Sequence, residues 1–237
     1  MGTGPRMRRI GLLGGMSWES SALYYEILNA AVRERLGGYH SARVLMSSVD
    51  FAEVEAMQAA GEWEAAGALL AAEGAALEVA GAECLVLCTN TMHKVADAIE
   101  AATDVPLIHI VDVTAEAVRA TGLSRVALLG TRFTMEQAFV RDRLATHGIE
   151  ALVPPGEDRE LVHEVIYGEL VHGVVREASR AAYVDVVDRL VADGAEGVVL
   201  GCTEIELLLR PQDVDVPVFA TTRLHALAAV DFALSRG

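Results

Sequence analysis

The chain has 237 residues, of which 52% are hydrophobic and 22% charged, and its formal net charge at pH 7 is −15. This length and composition allow one large domain or two of about 110 residues, and they exclude a disordered chain. The negative charge argues against nucleic acid or an anionic membrane as a partner, and it is typical of a soluble, well-solvated surface.

Short apolar runs alternate with longer segments of helical period along the chain, which is the pattern of repeated β-α-β units. Runs rich in valine, leucine and alanine suit parallel strands, because such strands are buried on both faces. In chain order the predicted strands are Arg9–Leu13, Arg43–Val49, Cys84–Leu87, Leu107–Ile110, Arg125–Leu129, Glu150–Val153, Gly197–Leu200 and Val218–Ala220.

The segments between these strands predict helices, several of which stop at a glycine. The residues before the first strand, Met1–Pro5, are expected to form a disordered leader. In chain order the predicted helices are Glu19–Arg35, Phe51–Ala60, Glu62–Val79, Met92–Ala101, Val113–Thr121, Thr134–His147, Arg159–Val171, Glu177–Ala192, Glu204–Leu209 and Thr222–Leu234.

Three segments of the first half recur in the second half in the same order, with a nearly constant shift along the chain. This internal repeat indicates two copies of one fold. Gly81–Leu87 resembles Gly194–Leu200, Arg9–Gly14 resembles Arg125–Gly130, and Val105–Ile108 resembles Val216–Phe219.

Each copy contains four of the predicted strands, so we expect an α/β protein with two pseudo-symmetric, doubly wound parallel-sheet domains. The first domain is predicted to comprise residues 7–112 plus 221–237, with the final helix packing back onto it, and the second domain residues 113–220. Open parallel sheets bind ligands beyond the carboxyl ends of their strands. The active site is therefore expected in the cleft between the two domains.

Each copy of the repeat delivers a cysteine to the end of an apolar run. Cys88 is followed by Thr89-Asn90-Thr91, and Cys202 is followed by Thr203. A thiol at a helix N-terminus is expected to have a pKa below the usual value of about 8.5, and the polar residues offer donors for a carboxylate. Two thiols at the same place of a repeat can face each other, which suits a reaction that moves a proton between the two faces of a carbon.

Other residues carry weaker signals. Cys84 lies inside a strand and is expected in the core. Ser17 either caps the following helix or contacts a ligand. His93, on the helix after the first cysteine, either orients the thiol or has a structural role, and His109 is equally open.

Neither metal nor nucleotide binding is expected. The chain contains no C-x-x-C or H-x-x-x-H pattern, and Gly11-x-x-Gly14-Gly15 lacks the spacing of a dinucleotide fingerprint. Three cysteines do not make a disulfide framework, and no apolar run approaches the roughly 20 residues needed to span a bilayer. We therefore expect a cytoplasmic protein that does not partner with a membrane.

Three segments resemble the aspartate/glutamate racemase family: Gly11–Ser20, Cys88-Thr89-Asn90-Thr91-Met92-His93-Lys94, and Gly201-Cys202-Thr203-Glu204. The resemblance covers almost the whole chain from Met7 onward and is closest to the broad amino-acid racemase branch of the family. It implies a two-domain α/β enzyme, usually a homodimer, that racemises an amino acid without pyridoxal phosphate, a metal or any other cofactor.

The resemblance also implies roles for individual residues. Cys88 and Cys202 take the places of the opposed acid and base that transfer the Cα proton. The matching or mirrored positions that would touch substrate are Met16, Gln58, Thr89, Asn90, Thr91, Thr131, Thr203 and Glu204.

The sequence departs from dedicated aspartate racemases at the positions that meet a side-chain carboxylate. The family's N-x-P-x-x-P-D-R segment, whose arginine makes that contact, is replaced by Ser47–Val54, which has no basic residue. The lysine of its E-L-K segment is replaced by Val171. Arg132 is a candidate substitute, and a neutral or broad amino-acid substrate is the alternative.

Two other classes of function remain open from the sequence. Hydantoin racemases, maleate isomerases and arylmalonate decarboxylases resemble the same scaffold, and a non-catalytic small-ligand binding protein could use the same two lobes. Decarboxylases need one cysteine only, so the presence of both Cys88 and Cys202 favours a racemase.

Overall fold

The computed structural model describes residues 6–235 and shows an α/β protein with two four-stranded parallel sheets, which confirms the predicted fold class. The expected leader, residues 1–5, lies outside the described residues. The chain divides into two compact units: the first contains the chain up to His109 and again from His225, and the second contains Ile110–Leu224.

The first unit holds a sheet with the strand order β2-β1-β3-β4, in which all pairs are parallel. Its elements in chain order are β1 (Ile10–Gly14), α1 (Trp18–Leu36), β2 (Val44–Ser48), α2 (Phe51–Ala60), α3 (Trp63–Val79), β3 (Cys84–Leu87), a 3-10 helix (Thr91–Val95), α4 (Ala96–Ala102) and β4 (Leu107–Ile108).

The second unit repeats this arrangement with the strand order β6-β5-β7-β8. Its elements are α5 (Ile110–Ala120), β5 (Arg125–Gly130), α6 (Arg132–Glu136), α7 (Ala138–Thr146), β6 (Glu150–Leu152), α8 (Gly156–Gly168), a 3-10 helix (Leu170–His172), α9 (Glu177–Ala192), β7 (Val198–Gly201), α10 (Ile205–Leu208), a 3-10 helix (Pro211–Asp213) and β8 (Val218–Ala220). The last helix, α11 (Thr221–Leu234), begins in this unit and belongs to the first unit from His225 onward.

The repeated Gly-Ala-Glu segment performs the same task in both units. Glu83 accepts the backbone N–H of Arg9 at 2.9 Å, and Glu196 accepts those of Ser124 and Arg125 at 3.0 Å each. These hydrogen bonds to the ionised carboxylates hold the pKa of both glutamates below the ordinary value. In each unit the repeated segment therefore supplies a carboxylate that accepts main-chain N–H groups where the inner strand pair begins.

Two apolar layers cover each sheet, as expected for strands buried on both faces. In the first unit, one layer joins β1 and β3 to α1 and to the part of α11 that begins at His225. Ala226, Ala229 and Val230 pack into this layer, so the final helix belongs to the first unit from His225 onward. The other layer packs β1 and β3 against α2, α3 and the 3-10 segment.

Some helix boundaries differ from the predicted ones. The helix expected over Thr134–His147 is two short helices, because Gln137 adopts an extended conformation between α6 and α7. No glycine or proline marks this break, so the periodicity gave no sign of it. The helix expected over Met92–Ala101 begins with a 3-10 turn, and the one expected over Arg159–Val171 starts earlier, at Gly156.

A glycine is required at position 15, where the loop after β1 passes close to β2. Gly15 has a φ of 95°, and a Cβ there would lie 2.2 Å from the carbonyl oxygen of Val49. We expect Gly15→Ala to destabilise the protein by more than about 3 kcal/mol, because it combines backbone strain with a clash against main chain. The midpoint of urea unfolding measures the change.

Gly61→Ala is the matched control for this prediction. Gly61 also has a positive φ, 74°, but no atom lies within 4 Å of the position that a Cβ would take. It should cost only about 1–2 kcal/mol, the price of the left-handed backbone alone. Equal losses in the two variants would show that the contact with Val49 is unimportant.

Candidate active site

A cysteine follows the inner strand of each sheet. Cys88 comes directly after β3, and its N–H donates to the carbonyl of Leu13 on β1 at 2.9 Å. Cys202 comes directly after β7. Both side chains are buried, with exposed fractions of 0% and 8%. Each thiol therefore lies at the carboxyl end of its sheet, where open parallel sheets bind ligands.

When the two units are aligned by their strand registers, the two cysteines do not coincide and lie one position apart. Leu13 pairs with Leu87, so Cys88 comes level with Gly14. The glycine of β5 that corresponds to Gly14 pairs instead with Gly201, and Cys202 follows one residue later. The expectation that both thiols occupy the equivalent place is therefore wrong by one residue, because β7 carries Gly201 before its cysteine.

This offset puts the thiols on opposite faces of their own sheets, since successive strand residues point to opposite faces. Cys88 shares an apolar layer with Cys84 and Val86, against α1 and α11. Cys202 shares a layer with Leu200 and Tyr183, against α8 and α9. The helices of the second unit that correspond to α1 and α11 lie on the other face, in the layer of α5 and α7.

The Cys88 thiol lies in an apolar environment. Its Sγ is 3.8 Å from the carbonyl oxygen of Val86, and burial raises the pKa of the thiol well above the ordinary value. Thr89, Asn90 and Thr91 follow it in a buried loop that leads into the 3-10 helix.

The Cys202 thiol has a charged neighbour. Its S–H donates to Oε2 of Glu204 at 2.9 Å. Burial, followed by the nearby Glu204 carboxylate, raises the pKa of this thiol well above the ordinary value. A carboxylate at this distance disfavours a second negative charge and is also in position to accept the thiol proton.

The prediction of lowered thiol pKa values is therefore wrong for the free protein. It depended on helix N-termini close to the cysteines, but Cys88 precedes a five-residue 3-10 helix and Cys202 precedes the four-residue α10. So short a helix offers a weak dipole, and desolvation of the thiolate outweighs it.

In the first unit, Met16 and Gln58 lie near the loop after Cys88. Met16 packs in one apolar cluster with Leu13 and Met92, and the Gln58 amide donates to Sδ of Met92 at 2.9 Å. Both side chains are buried, with 6% exposed in each case. The structure thus brings these two predicted positions to the end of the sheet that carries Cys88.

In the second unit, Thr131 and Cys202 are the next residues after the paired glycines of β5 and β7. Thr131 caps α6, accepting the N–H of Thr134 at 3.3 Å, and so mirrors Ser17, which caps α1, one of the two roles that the sequence left open. The Thr203 hydroxyl accepts the hydroxyl proton of Thr222 at 3.2 Å.

Arg132, the candidate partner for a substrate carboxylate, is already paired. Its Nη2 lies 2.7 and 2.6 Å from the two carboxylate oxygens of Glu160. Its backbone N–H also donates to Nδ1 of His163 at 3.3 Å. A ligand carboxylate at Arg132 would have to compete with the carboxylate of Glu160.

The remaining sequence candidates have structural contacts. Cys84 is fully buried as predicted, and burial raises its pKa to about 12. The Nδ1 of His93 lies 2.7 Å from the carbonyl oxygen of Thr89, and its ring packs against that of His109. Among the residues that the structure describes, no group of three or more metal-ligating side chains is placed to hold a metal ion. Within residues 6–235, no helix is long and apolar enough to cross a membrane.

Several residues around the cysteines were missed from the sequence. Glu206 accepts the backbone N–H of Thr222 at 3.0 Å, and burial raises its pKa to about 7. Its only signal was its place two residues after Glu204. The Tyr24–His225 hydrogen bond joins residues 201 positions apart, and no local pattern announces such a contact.

The comparisons with known proteins identify the family of the chain. Residues 13–229 match the family model described as Asp/Glu/hydantoin racemase. Because the match covers most of the chain, the chain belongs to the Asp/Glu/hydantoin racemase family.

Two solved structures and one curated relative are similar. A candidate Asp/Glu racemase from Yersinia pestis is 52% identical, with a TM-score of 0.92, over 97% of this chain and 100% of that chain. An aspartate racemase homologue from Pyrococcus horikoshii is 33% identical, with a TM-score of 0.87, over the same shares. A glutamate racemase from Koribacter versatilis is 35% identical over 64% of this chain, and the match spans 54% of that protein's length.

Glu206 makes stability depend on pH. Its folded-state pKa of about 7 is above the ordinary 4.5, so the protonated form stabilises the fold, and this contribution is lost as pH rises through 7. The nearby charges are Glu204, which favours protonation, and Arg223, which opposes it. We expect Glu206→Gln to match the wild type at pH 5 and to melt about 3–6 °C higher at pH 8.

Thermal unfolding at pH 5, 6.5 and 8 measures this difference. Glutamine keeps an oxygen for the Thr222 N–H, so the variant isolates the charge. A difference between the two proteins that stays constant across this pH range would contradict the assignment. Glu204→Gln serves as a comparison at a neighbouring carboxylate.

Proposed function

We propose that the protein is a cofactor-independent amino-acid racemase in which Cys88 and Cys202 form the acid–base pair. The observation that carries this proposal is the buried thiol directly after the inner strand in each of two alike sheets. Membership of the Asp/Glu/hydantoin racemase family supports the reaction class.

The proposed chemistry needs one thiolate and one thiol. The thiolate removes the Cα proton from one face of the substrate, and the other thiol delivers a proton to the opposite face. Polar groups that follow the cysteines, Thr89, Asn90 and Thr203, would stabilise the negative charge that develops on the substrate carboxylate. After one turnover the two sulfur atoms have exchanged protonation states, so the reverse reaction begins from the other side.

The raised thiol pKa values mean that the base must be generated at the site. Cys202 is placed for this, because its proton already lies on a hydrogen bond to Glu204. Transfer of that proton leaves a thiolate beside a neutral carboxyl group. The ammonium group of a bound amino acid would further favour the thiolate, since an opposite charge lowers the pKa of an acid.

We infer that amino acids with uncharged side chains are preferred over aspartate and glutamate. The Ser47–Val54 segment has no basic residue, and Ser47 instead donates a hydrogen bond to the carboxylate of Glu73. Arg132 is held by Glu160. A second carboxylate on the substrate would therefore enter surroundings that are already acidic.

The racemase proposal predicts that the purified protein exchanges the Cα proton of neutral L-amino acids in D₂O and forms the D-enantiomer. Cys88→Ser and Cys202→Ser should each lower racemisation by about 10²–10⁴-fold, the usual contribution of a general acid or base. Proton NMR follows exchange, and chiral chromatography follows inversion. Aspartate and glutamate in the same panel test the preference for uncharged side chains.

Cys84→Ala is the matched control, because Cys84 is a buried thiol of the same strand that the proposed mechanism does not use. It should retain activity within about threefold. Full turnover by either serine variant would contradict the two-thiol mechanism. Exchange of a hydantoin but of no amino acid would support hydantoin racemase, isomerisation of maleate would support a maleate isomerase, and CO₂ release from an arylmalonate would support a decarboxylase. Binding of amino acids without any exchange would support a non-catalytic binding protein.

We further propose that the protein is a homodimer that associates through α1. Trp18 and Tyr25 are 68% and 52% exposed and lie seven residues apart, which places them on one face of the helix. Large exposed apolar side chains of this kind mark association surfaces. Light scattering should find a dimer for the wild type and a monomer for Trp18→Glu/Tyr25→Glu, whereas Val79→Glu, at a still more exposed apolar residue elsewhere, should stay dimeric.

A further inference from the structure

Three buried imidazole rings and a tyrosine lie together in the first unit, behind the loop that follows Cys88. The side chains are His93, His109, His225 and Tyr24, and none is more than 5% exposed. The ring centroid of His93 is 4.6 Å from that of His109 and 5.6 Å from that of His225. The proposed mechanism uses none of these groups.

His93 holds the backbone of the Cys88 loop. Its Nδ1 lies 2.7 Å from the carbonyl oxygen of Thr89, the residue after the cysteine. A carbonyl only accepts hydrogen bonds, so Nδ1 carries the proton and donates it. The imidazole therefore fixes the peptide group through which the chain leaves Cys88.

The ring of His225 packs edge-on against the ring of His93. Its Nε2 lies 2.5 Å from the carbonyl oxygen of Ile108, so this nitrogen is the donor. Burial lowers the pKa of His225 to about 4, so the ring is neutral and its Nδ1 accepts the hydroxyl proton of Tyr24 at 2.8 Å. Both nitrogens are thus engaged, and the ring has one tautomer and one orientation.

In the second unit, the residue that corresponds to His93 also makes hydrogen bonds near the cysteine loop. Under the register that aligns Cys88 with Gly201, His93 corresponds to Glu206. Glu206 accepts the N–H of Thr222, whose hydroxyl donates to Thr203, the residue after Cys202. Side chains of different chemistry therefore hold the residue after the cysteine in both units, which indicates a shared task.

We propose that His93 is a positioning residue for the first thiol, and that the Tyr24–His225 pair keeps its ring in place. This inference rests on the proposed function, because it assumes that Cys88 transfers a proton. By anchoring Thr89, His93 fixes the direction in which the Cys88 thiol and the Thr89–Thr91 donors point. A displacement of about 1 Å at a reacting group can cost roughly 10²-fold in rate.

Two polar variants test the position of the hydrogen-bond donor. In His93→Asn the side-chain amide can place an N–H where Nδ1 lies, whereas in His93→Gln the N–H falls nearer the place of Nε2. We expect the glutamine variant to lose about 10–100-fold in kcat with KM changed by less than about threefold. The asparagine variant should stay within about fivefold of the wild type in both constants.

Hydrogen exchange of the backbone amides in residues 88–95 supplies a readout that does not need turnover. The glutamine variant should exchange at least tenfold faster in this segment, and the asparagine variant should resemble the wild type. Equal behaviour of the two variants, either both impaired or both unchanged, would overturn the positioning role. If the wild type has no racemase activity, the proposed function fails, and the exchange comparison still decides whether His93 anchors the loop.

Discussion

The hydrogen-bonded pairing of the two inner strands in each sheet determines where the two cysteines lie. Glu83 and Glu196 begin these pairs by accepting main-chain N–H groups, and the ladder then carries the chain to a cysteine at the far end. After the first cysteine, a hydrogen bond between His93 and the carbonyl of Thr89 holds the loop. The positions of the two cysteines therefore depend mainly on the main-chain register of the strands, and the helices pack around them.

Burial has two opposing effects on these thiols. Packing Cys88 and Cys202 among apolar side chains fixes their positions, but it also keeps them neutral when a base is required. In the second unit the Glu204 carboxylate raises the thiol pKa further, and it also lies in hydrogen-bond contact with the sulfur as an acceptor for the thiol proton. The first unit places imidazole rings and backbone groups around its loop. The two halves therefore share a fold while offering the sulfur atoms different surroundings.

Much of the architecture could be predicted because buried parallel strands leave a clear trace in sequence. All eight predicted strands occur, with ends shifted by at most about two residues, since apolar runs bounded by glycine and proline have few alternatives. The break at Gln137 could not be predicted, because tertiary packing decides it. The contact between Tyr24 and His225 was equally invisible, as it joins helices from opposite ends of the chain. The ionisation of the thiols was misjudged, since burial cannot be read from a local motif.

Gly201 makes the duplication inexact in a way that affects how the two halves relate. The one residue that β7 carries before its cysteine places that sulfur atom on the reverse side of its pleated layer. A chimera assembled from two copies of either half would keep the secondary structure yet present both thiols from the same side of their sheets. The halves are thus not interchangeable, because the side of the sheet from which each thiol is presented depends on a one-residue difference before the cysteine.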